Sequence, residues 1–332
     1  MDSFTQIVLG AAVGEAVLGK KIGNRAPLYG ALAGTIPDLD VLFTGFMDYS
    51  SVLLFHRGKS HSVLFALLMA IFLSQLLTRF EKYKPPKDWF WLFFLVFITH
   101  ALLDAQTTWG VQLFWPLKAR FAVDNVFIID PFYTLPFALL LVLAIFRERN
   151  DPLRKRLNHA GLIISSSYLL LSLAFKGIAF QKFESALTNQ KIEFRNVNTR
   201  PSPMNIVLWS ANIETEDSYL MGHYSLFDSK PIEFDTYQKD NSLSAKWKFE
   251  ESLQKMIQFS EGWYLITEEE NHFYFNDLRS GTYSFNEGAY DFVFKYKMVE
   301  DETGRLSFSR ENTTPKDLSR LAKQLWNRIK GN

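Results

Sequence analysis

Ser60-His61-Ser62-Val63-Leu64-Phe65-Ala66-Leu67-Leu68-Met69-Ala70-Ile71-Phe72-Leu73-Ser74-Gln75-Leu76-Leu77-Thr78 is a run of 19 residues without one charged side chain. As a helix it would be about 28 Å long, close to the roughly 30 Å of a bilayer hydrocarbon core. Further uncharged runs follow at Trp89–Leu103 (15 residues), Pro131–Phe146 (16) and Leu157–Phe175 (19). The two shorter of these can reach across if flanking Lys, Arg and Trp side chains extend toward the head groups. Two 12-residue runs, Ser3–Gly14 and Ala26–Pro37, come earlier and are short for a full span. The pattern predicts an α-helical multi-pass membrane domain of about six helices over residues 1–180, some of them short or re-entrant. A large soluble helical core is the competing reading. The start, Met1-Asp2-Ser3, has no basic stretch and Glu15 interrupts the apolar residues, so it does not read as a secretory signal.

Gly10 and Gly14, then Gly30 and Gly34, repeat the Gly-x-x-x-Gly spacing that lets helix backbones approach closely, and predict a tight pairing of the first two helices. Gly14-Glu15-Ala16-Val17-Leu18-Gly19-Lys20-Lys21 superficially resembles a phosphate-binding loop. It lacks the final Ser or Thr and no strand precedes it, so that reading is rejected.

The mean hydropathy of −0.04 averages two unlike halves. Residues 1–180 contain 29 charged side chains and residues 181–332 contain 42. The second part is rich in β-branched and aromatic residues broken by Gly, Pro, Asn and Asp. Strands are expected at Lys191–Val197, Asn205–Ile213, Pro231–Tyr237, Ala245–Phe249, Gly262–Thr267, His272–Phe275, Gly281–Phe285 and Asp291–Met298. A terminal amphipathic helix is expected at Pro315–Lys330, with Leu318, Leu321, Leu325 and Ile329 at helical spacing. Residues 181–332 therefore read as a strand-rich soluble domain.

Zero Cys excludes a disulfide scaffold, a thiol nucleophile and a thiolate metal site. The near balance of 36 basic and 35 acidic residues excludes a generally basic nucleic-acid binder, and no nucleic-acid partner is expected. Charge asymmetry between loops is informative instead. The loops after the first, third and fifth runs contain twelve Lys and Arg, and the intervening two contain four. The positive-inside rule places the first set in the cytoplasm, and with it the 181–332 domain outside the cytoplasmic membrane.

On that assignment the polar residues of the apolar half gather at the outer face. Asp38 and Asp40 end the second run, His56 and His61 lead into the third, and His100 and Asp104 end the fourth. His100 and Asp104 are an i, i+4 pair and share one helix face. Imidazoles and carboxylates converging from three segments suit one or two divalent ions, zinc first, with manganese or iron as alternatives. Asp40 reads as ligand or general base, and Arg57 and Lys59 as phosphate-positioning cations beside the ligands. Each piece also has a plain structural reading: a buried His–Asp pair, an interfacial polar loop, two helix caps. Glu15 is expected to extend to the interface or pair with Lys20 or Lys21. No His-Glu-x-x-His is present, which argues against an intramembrane metalloprotease.

Met1-Asp2-Ser3-Phe4-Thr5-Gln6, Pro37-Asp38-Leu39-Asp40, His56-Arg57-Gly58-Lys59-Ser60-His61-Ser62 and His100-Ala101-Leu102-Leu103-Asp104 with Thr107-Thr108-Trp109-Gly110 together resemble the YdjM-type inner-membrane family, described as metal-dependent hydrolases. The resemblance covers roughly residues 1–180. It implies a fold distantly similar to zinc-dependent phospholipase C and S1/P1-type nucleases, and metal roles for Asp38, Asp40, His56, His61, His100 and Asp104. Many members have Thr-His where this chain has Thr5-Gln6, which implies a supporting role for Gln6 behind the ligands. Only Asp124 and Asp130 follow downstream on the outer side, so one or two metals are expected rather than three.

These readings combine into a membrane-bound, metal-dependent hydrolase acting on a phosphoester, a lipid or lipid-linked molecule, at the outer face, with membrane lipids as its surroundings. The alternative is a non-enzymatic scaffold or transporter whose outer domain binds a partner.

Overall fold

The six uncharged runs all fold as helices in the computed structural model, which describes residues 1–239, 245–283, 290–312 and 317–332. The chain divides into two compact units. The first comprises Met1–Gly45, Phe55–Ala174 and Pro203–Ile206; the second comprises Phe46–Leu54, Phe175–Ser202 and Val207–Asn332.

The first unit is organised around α5 (Pro86–Asp104). Its buried residues Trp89, Leu92, Phe93, Val96, Phe97, His100, Leu103 and Asp104 recur at intervals of three and four, one stripe of a helix. The rings of Trp89, Phe93 and Phe97 stack in succession with centroids 6.1 and 6.4 Å apart. Tyr29 meets Trp89 edge-on at 5.2 Å. The same stripe that builds the core thus ends in two ligand-type side chains.

α1 (Ser3–Ile22) and α2 (Arg25–Thr35) pack backbone to backbone, as the paired Gly-x-x-x-Gly spacings predict. A Cβ on Gly30 would press into the carbonyl of Gly10, and one on Gly10 into that of Gly30. α4 (Val63–Phe80) turns Ala66, Ala70 and Ser74 inward and leaves Leu64, Leu67, Leu68, Ile71 and Phe72 exposed. Small residues toward the protein and large apolar ones outward are what a lipid-facing helix requires.

Among the described residues, three helices are long and apolar enough to cross a membrane: α4, α5 and α7 (Pro152–Asn189). The expectation of about six membrane helices is corrected accordingly. α2 has 11 residues, a rise of about 16 Å. α6 (Pro131–Ile145) has 15 and carries Pro136 in its interior. α1 has 20, but its small and polar residues and Glu15, Lys20 and Lys21 dilute its apolar character.

At the end of the bundle formed by the C-terminus of α1, three basic loops come together. Lys21 pairs with Asp88 at 2.6 Å and Arg25 with Glu81 at 2.8 Å. Arg149 donates through Nε to the Lys20 carbonyl at 2.5 Å. Glu15 pairs with neither Lys20 nor Lys21, contrary to expectation. Arg154 grips it with Nε at 2.6 Å and a terminal nitrogen at 2.5 Å, both residues being buried. A carboxylate this deep needs a bidentate, equally buried partner, which the exposed lysines do not offer.

Among the described residues the second unit holds two four-stranded antiparallel sheets. One has the order β1 (Asn196–Pro201), β2 (Leu208–Glu214), β3 (Ser218–Ser225), β4 (Phe234–Gln238). The other runs β5 (Tyr264–Glu269), β6 (His272–Thr282), β7 (Phe292–Glu300), β8 (Leu306–Arg310). Tyr219, Met221 and Tyr237 of the first sheet share a core with Leu265, Leu278 and Phe292 of the second.

Strand expectations need specific corrections. β3 was not expected, because nearly all its residues are buried and it lacks the alternation that marks a half-exposed strand. β8 is short and was also not expected. Within the expected strand Ala245–Phe249, Ala245 and Lys246 are helical and Trp247–Phe249 form a turn. Behind them Glu250 caps the helix Glu251–Phe259, accepting from the Leu253 amide at 2.7 Å, and Leu253, Met256 and Phe259 are its buried stripe. The expected strand Gly281–Phe285 begins as the end of β6, and residues 284 and 285 lie outside the described residues. The terminal helix is Leu318–Ile329, capped by Asp317; residues 315 and 316 of the expected Pro315–Lys330 lie outside the described residues.

The terminal helix is tied to β3 through Arg328, which pairs with Asp228 at 2.6 Å and donates to the His223 carbonyl at 2.8 Å. Nδ1 of His223 is buried although the residue keeps some exposure. Burial, reinforced by the neighbouring Arg328 charge, pushes its pKa down to about 4.

Three outcomes are expected. Gly30→Ala lowers the stability of the detergent-purified chain by about 1–3 kcal/mol through overpacking. Gly45→Ala, where an added Cβ meets nothing within 4 Å, leaves thermal unfolding unchanged. For His223, the unfolded imidazole titrates near 6.5, so between about 6.5 and 4 the unfolded chain takes up a proton that the folded one refuses. Stability is therefore lost as pH falls through that window. His223→Gln flattens this part of the profile, read as the thermal midpoint at stepped pH.

Candidate metal centre

The inward stripe of α5 delivers His100 and Asp104 to the end of the bundle opposite the basic loops. Facing them are two 3-10 helices, Pro37–Phe43 after α2 and Lys59–His61 before α4. Asp38, His61, His100 and Asp104 each offer one donor atom, and all four atoms lie within 4.8 Å of one another. His61 Nε2 is 3.1 Å from His100 Nε2, 3.3 Å from Asp38 Oδ1 and 3.3 Å from Asp104 Oδ2. His100 Nε2 lies 3.6 Å from Asp38 Oδ1 and 4.0 Å from Asp104 Oδ2. Donors at about 2.0–2.1 Å from a tetrahedral zinc would sit about 3.3 Å apart. The three His61 separations match that value, and the His100–carboxylate separations of 3.6 and 4.0 Å are longer.

The outward nitrogens decide the tautomers. His100 Nδ1 lies 2.8 Å from the Gly34 carbonyl, which only accepts, so Nδ1 holds the proton and Nε2 presents a lone pair. Ser60 Oγ donates to Asp40 Oδ2 at 2.8 Å and can therefore accept from His61 Nδ1 at 2.9 Å. That arrangement leaves His61 Nε2 bare as well. Two bare nitrogens 3.1 Å apart repel, and either a proton or a cation between them resolves the conflict. Asp104 Oδ2 adds a buried acceptor. It lies 3.2 Å from Arg57 Nε and 3.3 Å from His61 Nε2, but neither meets it with hydrogen-bond geometry.

Electrostatics agree with a cation site. Burial opposes the ionised form of Asp38, yet the His100 and His61 imidazoles beside it outweigh burial and hold the carboxyl well below the usual range. Burial likewise opposes a charged His61, while Asp104 and Asp38 beside it raise its hold on a proton. Asp38 is the most open of the four, with 24% of its side chain exposed, and marks the mouth of the site.

The other expected residues stand around this group. Asp40 and His56 are outside the four-donor cluster. Asp40 organises the loop His56–His61: it receives His56 Nδ1 at 2.8 Å, Ser60 Oγ at 2.8 Å and the Arg57 amide at 3.2 Å. Arg57 has φ +60°, a left-handed conformation uncommon outside glycine, and these bonds hold it there. Its buried guanidinium faces Asp104 and donates to Thr107 Oγ1 at 2.8 Å. Lys59 Nζ lies 5.4 Å over the Trp115 ring. Gln6 sits behind the ligands, donating Nε2 to Asp104 Oδ1 at 2.8 Å and to the His100 carbonyl at 3.3 Å. The Met1 amine also reaches Asp104 Oδ1. Asp130 is drawn away to cap α6 and to accept from Tyr168 at 2.7 Å.

Sequence reasoning passed over Ser60 and the Gly34 carbonyl, which orient the two imidazoles. Ser60 lies inside the quoted His56–Ser62 motif, where an oxygen next to a ligand was a usable signal. A main-chain carbonyl leaves no trace in the residue type.

The profile of the YdjM inner membrane protein family matches residues 1–182. The inner membrane protein YbcI of Escherichia coli (strain K12) is 30% identical over 153 residues, covering 42% of this chain and 85% of that protein. No solved structure matches the chain. The matched region contains the whole His and Asp cluster, α4, α5 and most of α7, and the chain belongs to the YdjM inner membrane protein family.

Proposed function

We propose that this inner-membrane protein is a metal-dependent hydrolase acting on a phosphoester, a lipid or lipid-linked molecule, at the outer face of the membrane. The observation that carries this reading is the pair of imidazole lone pairs aimed at each other between two carboxylates, with Asp38 at the mouth. Asp38, His61, His100 and Asp104 would hold a divalent ion, zinc first by donor set, and such an ion supplies Lewis-acid activation of a phosphoester and of water. Asp40 acts through Ser60 to fix the His61 ring, and Arg57 compensates Asp104. Of the two cations assigned to phosphate, Lys59 is the exposed one and is available to an incoming anion, whereas Arg57 is committed inside. Leu39, Leu42 and Phe43, beside Asp38 on the same 3-10 helix, are exposed, which supports an amphiphilic substrate.

One observation favours a second reading. Four protein donors complete a tetrahedral shell, as structural zinc sites do, and a scaffold with a structural ion would look the same. An exchangeable position separates the two, because only a catalytic site admits an added ligand.

Orientation follows from charge. The three basic loops lie together at the end opposite the cluster, which supports placing that end in the cytoplasm and residues 181–332 outside.

The purified protein is expected to bind about one equivalent of zinc, manganese or iron by elemental analysis. His61→Ala and His100→Ala lose it, and Ser60→Ala or Asp40→Asn weakens it about 10–100-fold through the second layer of bonds. Wild type without metal, and unable to take it up, refutes the site. Hydrolysis of phosphoester lipids by wild type and its loss in His100→Ala would establish the enzyme; metal without hydrolysis or added-ligand binding would favour the scaffold. The chain has no Cys, so single cysteines report topology directly. Lys230→Cys should react with a membrane-impermeant maleimide in spheroplasts, and Lys82→Cys only after lysis.

A further inference from the structure

We propose that the basic end of the first unit is a binding site for the phosphate group of an anionic phospholipid. A cavity of about 200 Å³ lies there between the last turns of α1 and the first turns of α7. It is several times the roughly 30 Å³ of a water molecule and has room for a phosphate. From Gln6, which touches the metal cluster, to Lys20, which lines this cavity, α1 rises about 21 Å, so the two sites are separate.

The lining carries five cations, Lys20, Lys21, Arg149, Arg154 and Lys155, against the carboxylates of Glu15 and Asp151. Most of the opposing charge is already used. Glu15 is held bidentately by Arg154, and Lys21 pairs with Asp88. Asp151 accepts from the Leu153 amide at 2.8 Å where α7 begins. Arg149 donates to the Lys20 and Lys21 carbonyls, which fixes its position without cancelling its charge. Among the described residues no carboxylate pairs with Lys20 or Lys155. Lys20, Arg149 and Lys155 therefore face one cavity with a net positive field, strengthened by the positive end of the long helix α7.

Location supplies the ligand class. The uncharged run of α7 begins at Leu157, two residues after Lys155. The cavity thus sits at the polar edge of a membrane-crossing helix, the level of phospholipid phosphates. Basic pockets between helices at this level are suited to anionic head groups.

The test uses the full chain in detergent, probed by native mass spectrometry with phosphatidylglycerol, with phosphatidylcholine, and with phosphatidylglycerol plus millimolar inorganic phosphate. Phosphatidylglycerol should be retained at least fivefold over phosphatidylcholine and resist inorganic phosphate. The double variant Lys20→Gln/Lys155→Gln should lose that preference, and Lys20→Arg/Lys155→Arg should keep it. Size-exclusion elution and thermal unfolding, read on the same samples, stay at the wild-type values and report an intact fold independently of the proposed hydrolase. Equal retention of both lipids, or an undiminished preference in the glutamine variant, overturns the site. Displacement by inorganic phosphate supports the phosphate chemistry and overturns its lipid source.

Discussion

A carboxylate buried at the end of an apolar helix is the constraint on which the first unit depends. Asp104 has a side chain 1% exposed and sits at the last position of the aromatic stripe of α5. A buried charge without compensation costs several kcal/mol. Arg57, Gln6, His61 and the Met1 amine all turn toward it from different segments. Satisfying one carboxylate therefore draws the chain start, the loop His56–His61 and α5 to a single place. Arg57 faces that carboxylate from a backbone of positive φ, which the bond from its amide to Asp40 holds in place.

The opposite end of the unit repeats the logic with different chemistry. Glu15 and Arg154 form a buried bidentate pair that joins α1 to the beginning of α7. Between the two polar ends lie the close contact of α1 with α2, made possible by Gly10 and Gly30, and the stacked rings of α5. Large side chains on α4 face outward, so the helix offers lipid what a soluble protein would hide. The polar work is concentrated at the ends, and this separation is what allows a ligand cluster and a basic cavity to coexist in one small bundle.

Much of this was legible in the chain. The uncharged runs announced helices, because the cost of burying charge shapes composition directly. The pairing of α1 with α2 was legible in the glycine spacing, and the loop charges with the i, i+4 pair pointed to a common level for Asp38, Asp40, His56, His61, His100 and Asp104 without separating the four that share donors from the two that do not. The count of membrane-crossing helices was not, since charge-free length alone does not distinguish a span from a short helix packed against its neighbours. β3 escaped notice because burial on both faces erases alternation, and Ala245–Phe249 misled because a Trp and a Phe two residues apart suit a turn as well as a strand.

Residue type alone determined which side chains were able to bind a metal, and the apolar character of the segments that present them. Tertiary structure decided which of them share one point. Asp40 and His56 have the same functional groups as Asp38 and His61, yet they stand one layer back, because a 3-10 turn directs Asp38 inward and leaves Asp40 to bond the loop. Glu15 found Arg154, 139 residues away, in preference to lysines five and six residues on. Local sequence records the donors and their spacing along one element. Direction, tautomer and partner depend on contacts between elements far apart in the chain, such as the Gly34 carbonyl that orients His100.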